Sequence, residues 1–438
     1  MADVDPRGSL AEREADYEAF VQANLKRNYF ANFVHGMLGL TGFRLIYAPT
    51  FIPAYIHMLT GSAALVGLGQ ALLQFGAILS PIVGASRIEH RARILPYAIR
   101  VGSLMRVQIL LLAFAGWFLT GSTLLLVTLL LFFFLGVFTG TQRVAFQMLM
   151  AKVIPIAQRG RLQAWRNLTG GLIAAGLSYL AGKYLIGGNV LGNGYATTFL
   201  LAFILTSLGL TVLQLLLLEP DPPSRRSPMR FADRVREFPQ LLADRDYRWF
   251  VIAQAFTIAG RMSGPFYILF AGQQMRLDGA TIGLLSVAFL GADTVSNLLW
   301  GYLGDRKGFR ITFILSIVVW IAAILTLLGA ASPAAIVVAF CGLGAASSGY
   351  MMSASTMVLE FGSRHDIPMR LALSTTVEGV LAATGPLIGG LIVVTLGYSA
   401  LLIASTVFLV AALLTLVIRV REPRGLKVVT QVEDDQII

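Results

Sequence analysis

Long apolar runs separated by short polar breaks fill almost the whole chain. Most runs have roughly 20 residues or more, which is enough for an α-helix to cross a hydrocarbon layer of about 30 Å. The runs are continuous rather than alternating, and this pattern selects helices over the strands of a barrel. We predict about twelve membrane spans, with approximate limits 29–57, 61–85, 95–118, 122–153, 161–186, 195–218, 247–273, 280–303, 310–331, 334–361, 368–396 and 398–419.

A polar stretch rich in proline and charge starts at Glu219 and divides the spans into two groups of six. Within it, Phe231, Val235, Phe238 and Leu242 repeat at helical spacing, which predicts a surface-lying helix; the alternative is a disordered connector. The N-terminal segment carries its apolar residues on one helical face and predicts a second such helix. The expected organisation is an N-terminal segment 1–27, a six-helix bundle 28–218, a linker 219–246, a second bundle 247–421 and a tail 422–438.

Composition supports a membrane protein and excludes the usual soluble classes. The chain is 56% hydrophobic and 13% charged, with a mean hydropathy of +0.74. Its net charge of +11 does not indicate nucleic-acid binding, because the Lys and Arg residues concentrate in every second loop. Loops of this kind face the cytoplasm, so we expect both termini inside and the protein in the inner (plasma) membrane. The single cysteine, Cys341, excludes an internal disulfide and a cysteine metal site.

Similar sequence segments recur in the two halves of the chain, separated by a nearly constant number of residues. "GASRIEHRARI" (Gly84–Ile94) aligns with "GYLGDRKGFRI" (Gly301–Ile311), and "TGFR" (Thr41–Arg44) aligns with "IAGR" (Ile258–Arg261). Two related six-helix bundles with a binding site between them, near the membrane midplane, are a common plan among secondary transporters.

Three short motifs resemble those of the major facilitator superfamily. They are "GYLGDRKGFR" (Gly301–Arg310), which is similar to its loop signature, "GPLIGG" (Gly385–Gly390), and "PIAQRGR" (Pro155–Arg161) at the entry to the fifth span. The first-half copy of the loop is degenerate, and the fifth span lacks the proline associated with antiporters. The resemblance implies an all-α membrane protein with about 12 transmembrane helices in two pseudo-symmetric six-helix bundles. It also implies a secondary transporter rather than an enzyme, and we expect no cofactor.

The resemblance further implies a cytoplasmic gate. Asp305 would contact the start of the fifth span near Gly160, with Arg310 and Arg364 as charged partners. The alternative is a plain loop that only sets topology. The full set of expected gate residues is Asp305, Arg306, Arg310, Glu360, Arg364 and Arg159.

Arg44 lies inside the apolar stretch "LTGFRLIYAPTFIPAYI", roughly 24 Å along the first span. A charge at that depth costs several kcal/mol unless it meets a partner or water. Arg261 stands at the matching position of the seventh span and is followed by Tyr267. Two guanidiniums facing one cavity would bind carboxylate or phosphate, which predicts a small anionic substrate. In the alternative interpretation each arginine pairs with a buried acid as a structural bridge.

Further polar side chains inside the spans are candidate substrate contacts: Arg143, Gln147, Gln74 and Gln254. The glutamines are equally consistent with hydrogen bonds between helices. We expect Arg106, on the third span, to snorkel or to pair locally. Asp293 is our first candidate for a proton-coupling site and Glu378 our second, because an isolated carboxylate in a low dielectric prefers the neutral form. Either acid could instead be the permanent counter-ion of Arg261.

The leading hypothesis is a transporter for a small organic or amphipathic anion, with protons as a further partner, embedded in the lipid bilayer. A proton-linked exporter of cationic drugs is the nearest alternative, and a receptor or assembly factor with a transporter fold is the other. His35 and His57 have no metal-ligand spacing, so we expect no metal. No nucleotide-binding motif appears, so we expect no direct ATP drive and no nucleic-acid partner.

Overall fold

The computed structural model describes residues 10–88, 93–221, 241–361 and 367–423, and within them a helix lies at every predicted span. The helices are α1 Leu10–Ala23, α2 Leu25–Tyr47, α3 Phe51–Thr60, α4 Ala63–Ile88, α5 Leu95–Phe118, α6 Gly121–Val153, α7 Ile156–Leu180, α8 Gly194–Leu216, α9 Arg245–Gly260, α10 Tyr267–Ala271, α11 Gly279–Lys307, α12 Phe309–Leu328, α13 Pro333–Glu360, α14 Ile367–Leu396 and α15 Tyr398–Ile418.

Eight helices of the described chain are each long and apolar enough to cross a membrane: α5, α6, α8, α11, α12, α13, α14 and α15. The predicted spans 1, 2, 5 and 7 correspond to helices that are interrupted, more polar or only partly described. The protein is therefore an all-α, multi-pass membrane protein, as the sequence predicts. α1 confirms the predicted N-terminal helix, whereas most of the helix predicted in the linker lies outside the described residues.

Three of the predicted spans change geometry partway along. The first breaks between α2 and α3, at residues 48–50, and the fifth continues from α7 as a π-helix over Ala181–Ile186. The seventh becomes a 3₁₀-helix over Arg261–Phe266, between α9 and α10. Pro49 and Pro265 lie at the first and last of these breaks, because proline cannot donate the backbone hydrogen bond that an α-helix needs.

The chain forms two compact units, and each unit is built from three separate segments of the chain. The first unit comprises Met1–Ile46, Phe75–Ala174 and Val190–Arg230; the second comprises Tyr47–Gln74, Ala175–Asn189 and Phe231–Ile438. The first unit buries an apolar core at one end of α5, α6 and α8, which includes Ala98, Leu149 and Leu213. The predicted bundle limits, 28–218 and 247–421, stay a prediction.

Glu219 joins three parts of the first unit just after α8. Its carboxylate accepts hydrogen bonds from the backbone N–H groups of Ile94 and Leu95, both at 2.7 Å, at the start of α5. It also pairs with Lys152 at 2.8 Å, and the Glu219 side chain is almost fully buried. A carboxylate at a helix N-terminus satisfies amides that have no partner within the helix and complements the helix dipole. We call this arrangement the Glu219 cap.

Small residues let helices of the second unit approach very closely. A side chain at Gly67 of α4 would collide with the carbonyl of Pro386 on α14, and one at Gly390 would meet Ala64 at 3.2 Å. Gly283 of α11 lies equally close to Tyr179 at the end of α7. Close packing of this kind is how helices associate in a membrane without a hydrophobic driving force. The "GPLIGG" segment is thus a packing element, and α14 continues through its proline.

Candidate functional site

The breaks in the first and seventh spans meet at one cavity of about 260 Å³ inside the second unit. Tyr47 and Pro49 come from the first break, and Arg261, Gly264 and Pro265 come from the second. Non-helical backbone within a membrane is tolerated where it is covered by protein or lines a cavity. The remaining lining residues belong to α4, α9 to α14 and the second break: Gln70, Gln74, Ile258, Met262, Tyr267, Phe289, Trp320, Ser347, Leu381, Ala382, Gly385 and Pro386.

Arg261 supplies the positive charge of the cavity. Its guanidinium lies 5.9 Å from the ring centre of Trp320 and 5.1 Å from that of Tyr350, so it contacts two neighbouring aromatic rings. One nitrogen, Nη1, is 3.7 Å from Oε1 of Glu378. The side chains of both members of this pair are about one-third exposed, at 31% and 30%. The ion pair is long and accessible, so the guanidinium keeps donors that a ligand can use.

Tyr267 forms a rigid wall of the cavity. Its hydroxyl accepts a hydrogen bond from Ser263 Oγ at 2.9 Å and another from Trp320 Nε1 at 3.1 Å. All three side chains are buried. The bonds fix the orientation of the Trp320 ring, which in turn limits where Arg261 can lie.

Two amides and several aromatic rings complete the lining. Gln70 and Gln74 are one turn apart on α4, so both can face the cavity from one side of the helix. Tyr47, Phe289 and Trp320 add aromatic surface. A single guanidinium, neutral amides and aromatic rings around a small volume suit a compact organic anion with a flat apolar body.

Three of the four substrate-binding candidates in the second unit line the cavity, and one does not. Arg261, Tyr267 and Gln74 line the cavity. Gln254 does not, because it is buried and accepts a hydrogen bond from Ser374 Oγ at 2.7 Å, joining α9 to α14. Glu378, and not the first-choice acid Asp293, is the carboxylate within ion-pair distance of Arg261.

The candidates of the first unit lie on two helices. Arg44 is half-buried near the end of α2, three residues before the break, and Arg143 and Gln147 are exposed one turn apart on α6. Arg106 is buried on α5 and pairs locally, as expected: it donates to the carbonyls of Thr206 and Gly102, each at 2.7 Å. Residues 19–88 and 90–218 contain no Asp or Glu.

The predicted gate residues have varied surroundings. Arg159 donates to the carbonyls of Ile154 and Ala151 at the end of α6, and Arg310 donates to those of Leu416 and Val417 at the end of α15. Both therefore cap helix C-termini, where cations are favoured.

Arg306 lies 4.4 Å from the ring centre of Tyr302, and Asp305 is exposed near the end of α11. Glu360 is the last residue of α13, and Arg364 lies outside the described residues. Their grouping as a gate stays a prediction.

Sequence reasoning missed several lining residues, including Gln70, Trp320 and Phe289. Gln70 could have been found, because it stands one turn before Gln74 in an apolar run. The aromatic residues gave no such signal, since apolar side chains of a span look alike until the packing is known.

Comparison with known families and structures identifies the fold. Residues 249–436 match the family model described as Major Facilitator Superfamily. The match covers the half in which the loop signature and the "GPLIGG" segment are intact. No curated protein matches the sequence.

Solved structures with the same fold cover nearly the whole chain. The nucleoside transporter NupG, as its D323A mutant, has a TM-score of 0.69 at 13% identity, over 89% of this chain and 100% of that one. A bacterial homologue of the human lysosomal transporter Spinster, in an inward-facing and unoccupied conformation, has a TM-score of 0.63 at 16% identity, over 92% and 95%. A POT family transporter in complex with 5-aminolevulinic acid has a TM-score of 0.67 at 12% identity, over 90% and 96%. Identities this low establish the fold alone.

Proposed function

We propose that this chain is a secondary transporter of the major facilitator superfamily and that its substrate is a small organic anion. The family model matched by residues 249–436 and the shared fold of solved transporters support the transporter. It works by alternating access in the inner membrane, with both termini in the cytoplasm. The observation that supports an anionic substrate is the position of Arg261. Its charge faces a cavity of aromatic and amide side chains at a helix break.

Charge distribution in the first half supports the same substrate class. Residues 19–88 and 90–218 include Arg44 and Arg143 and contain no Asp or Glu. A half with only positive charge inside its spans favours an anionic ligand over a cationic one. We propose Arg44 as the first-half counterpart of Arg261, since each arginine comes just before or at the break of its span.

We propose that Glu378 couples transport to protons. Glu378 and the substrate compete for the guanidinium of Arg261, because both are anions near the same donors. A proton on Glu378 removes the competitor and frees Arg261 for the substrate, so proton and anion bind together. Asp293, half-buried on α11, remains the alternative proton site.

The Arg261–Glu378 pair also favours a second candidate function, the export of cations. In that case Glu378 would bind the substrate and Arg261 would only hold the acid in place. The two functions differ in which member of the pair the substrate needs.

Replacing each member of the pair distinguishes these functions. We expect Arg261→Gln to abolish anion-induced thermal stabilisation of the purified protein and anion uptake into proteoliposomes, since a bound ligand raises stability by mass action. Trp300→Phe is the control variant. It removes the hydrogen bond from the Trp300 indole to the Ala345 carbonyl, so it alters the same unit without changing the residues that line the cavity. The panel contains benzoate, 5-aminolevulinic acid, uncharged nucleosides and cationic dyes. Full stabilisation by an anion in the Arg261→Gln protein would contradict the anion proposal.

A further inference from the structure

A second cavity lies in the first unit, between the starts of α2 and α7, and has no part in the proposed transport site. It is a groove of about 920 Å³ lined by Leu25, Lys26, Tyr29, Phe30, Phe33, Gln158, Arg161 and Trp165. We call it the α2–α7 groove. Both helices begin on the same side of the membrane, which the loop charges predict to be the cytoplasmic side.

The chemistry of the groove is ordered along the helix axes. Lys26 is the second residue of α2 and Arg161 the sixth of α7, so both cations lie near the helix starts. Trp165 lies one turn deeper than Arg161, and Phe33 lies roughly 10 Å deeper than Lys26. Positive charge therefore comes first at the membrane surface and aromatic surface follows towards the interior.

The aromatic walls are not covered by the protein. Phe30 is 57% exposed and Trp165 is 52% exposed, although both lie on helices of the membrane domain. Tryptophan and tyrosine are favoured at the level of lipid headgroups, and cationic pockets between helices on the cytoplasmic side recognise anionic headgroups.

We propose that the α2–α7 groove binds an anionic phospholipid of the cytoplasmic leaflet. The lipid phosphate pairs with Lys26 and Arg161, and the first part of an acyl chain lies against Tyr29, Phe33 and Trp165. A zwitterionic lipid fits the walls equally well, but its ammonium group opposes the two cations. The groove therefore selects for headgroup charge, and this selectivity does not depend on the transported substrate.

Quenching of Trp165 fluorescence by brominated lipids tests the proposal. The full-length protein is placed in nanodiscs that contain brominated phosphatidylglycerol or brominated phosphatidylcholine at equal fractions. The Trp165→Phe protein gives the signal of the other four tryptophans, which is subtracted. We expect Trp165 to report an about fivefold or larger preference for phosphatidylglycerol, which falls with added salt because cations near the membrane surface act electrostatically.

The charge origin of the preference is tested with a double variant. We expect Lys26→Gln with Arg161→Gln to remove the preference, whereas Lys183→Gln with Arg276→Gln, an equal charge change in loops predicted to lie on the opposite side, leaves it intact. Equal quenching by the two lipids in the wild-type protein would overturn the proposal, and this comparison requires no variant to fold. Displacement of the lipid by free benzoate would also overturn it, since the groove would then be a site for soluble anions.

Discussion

Arg106 and Arg261 are two arginines inside the membrane domain with opposite surroundings. Arg106 is 2% exposed, donates to two backbone carbonyls and lies 5.8 Å from the ring centre of Phe43. Arg261 is accessible, lies beside two aromatic rings and has a carboxylate at 3.7 Å. The difference shows that an arginine within a span is not evidence of a binding site by itself. What distinguishes them is whether the guanidinium is buried and donates to neighbouring backbone or remains open to a cavity.

We expect the largest difference between the two arginines in how much each contributes to the stability of the folded protein. We expect Arg106→Ala to lower the free energy of unfolding by about 2–4 kcal/mol, because it leaves a cavity between α5 and α8 and removes two buried hydrogen bonds. Thermal unfolding of the purified protein measures this loss. Arg261→Ala, which changes an accessible side chain, should shift the midpoint far less. If Arg106→Ala and the wild-type protein unfolded at similar temperatures, the proposed difference in stability between the two arginines would be contradicted.

Ligand affinity examines the open arginine alone. We expect Glu378→Gln to bind the anion about tenfold more tightly than the wild-type protein, equivalent to about 1.4 kcal/mol, because a carboxylate no longer competes for Arg261. Ligand titrations of the two purified proteins measure this difference. Lost binding in Glu378→Gln would instead identify the carboxylate as a substrate contact.

Asp278 is a third charged side chain for this comparison. Like Arg106 it bonds to backbone, but it lies at the protein surface. Its carboxylate accepts from the Thr281 N–H at 2.8 Å, capping α11, and this bond lowers the pKa of Asp278 below its usual value. The contribution is therefore present at neutral pH and is lost as pH falls through the lowered pKa. We expect Asp278→Ala to cost about 1 kcal/mol at pH 7 and less in acid. Thermal unfolding at both pH values measures these differences, and a pH-independent cost would mean that charge is unimportant.

The sequence was sufficient to predict the helices because each span must satisfy its own backbone in lipid. It was also sufficient for Arg261 and Tyr267, which stood out as a charge and a neighbouring aromatic residue beside a proline. The partner of Arg261 was harder to choose. Asp293 and Glu378 both lie inside apolar helices, and the packing of those helices, which the sequence does not give, brings Glu378 to 3.7 Å from Arg261.

Other features could not be predicted because they depend on contacts between distant segments. Gln254 looks like a cavity donor in the sequence, yet its amide is used by Ser374, 120 residues away. Arg159 and Arg310 donate to the carbonyl ends of neighbouring helices, contacts that the gate motif did not indicate, and their role as gate residues stays a prediction. A motif gives the position of a charge in the chain but not the group that it meets.

The Glu219 cap has a consequence for the order in which the protein is made. The carboxylate that satisfies the Ile94 amide is 125 residues further along the chain. During synthesis the third span therefore enters the membrane with its leading amides still hydrated, and they receive their final partner only after the sixth span has left the ribosome. A ribosome stalled before residue 219 would therefore present inserted helices in which these amides still lack the Glu219 carboxylate.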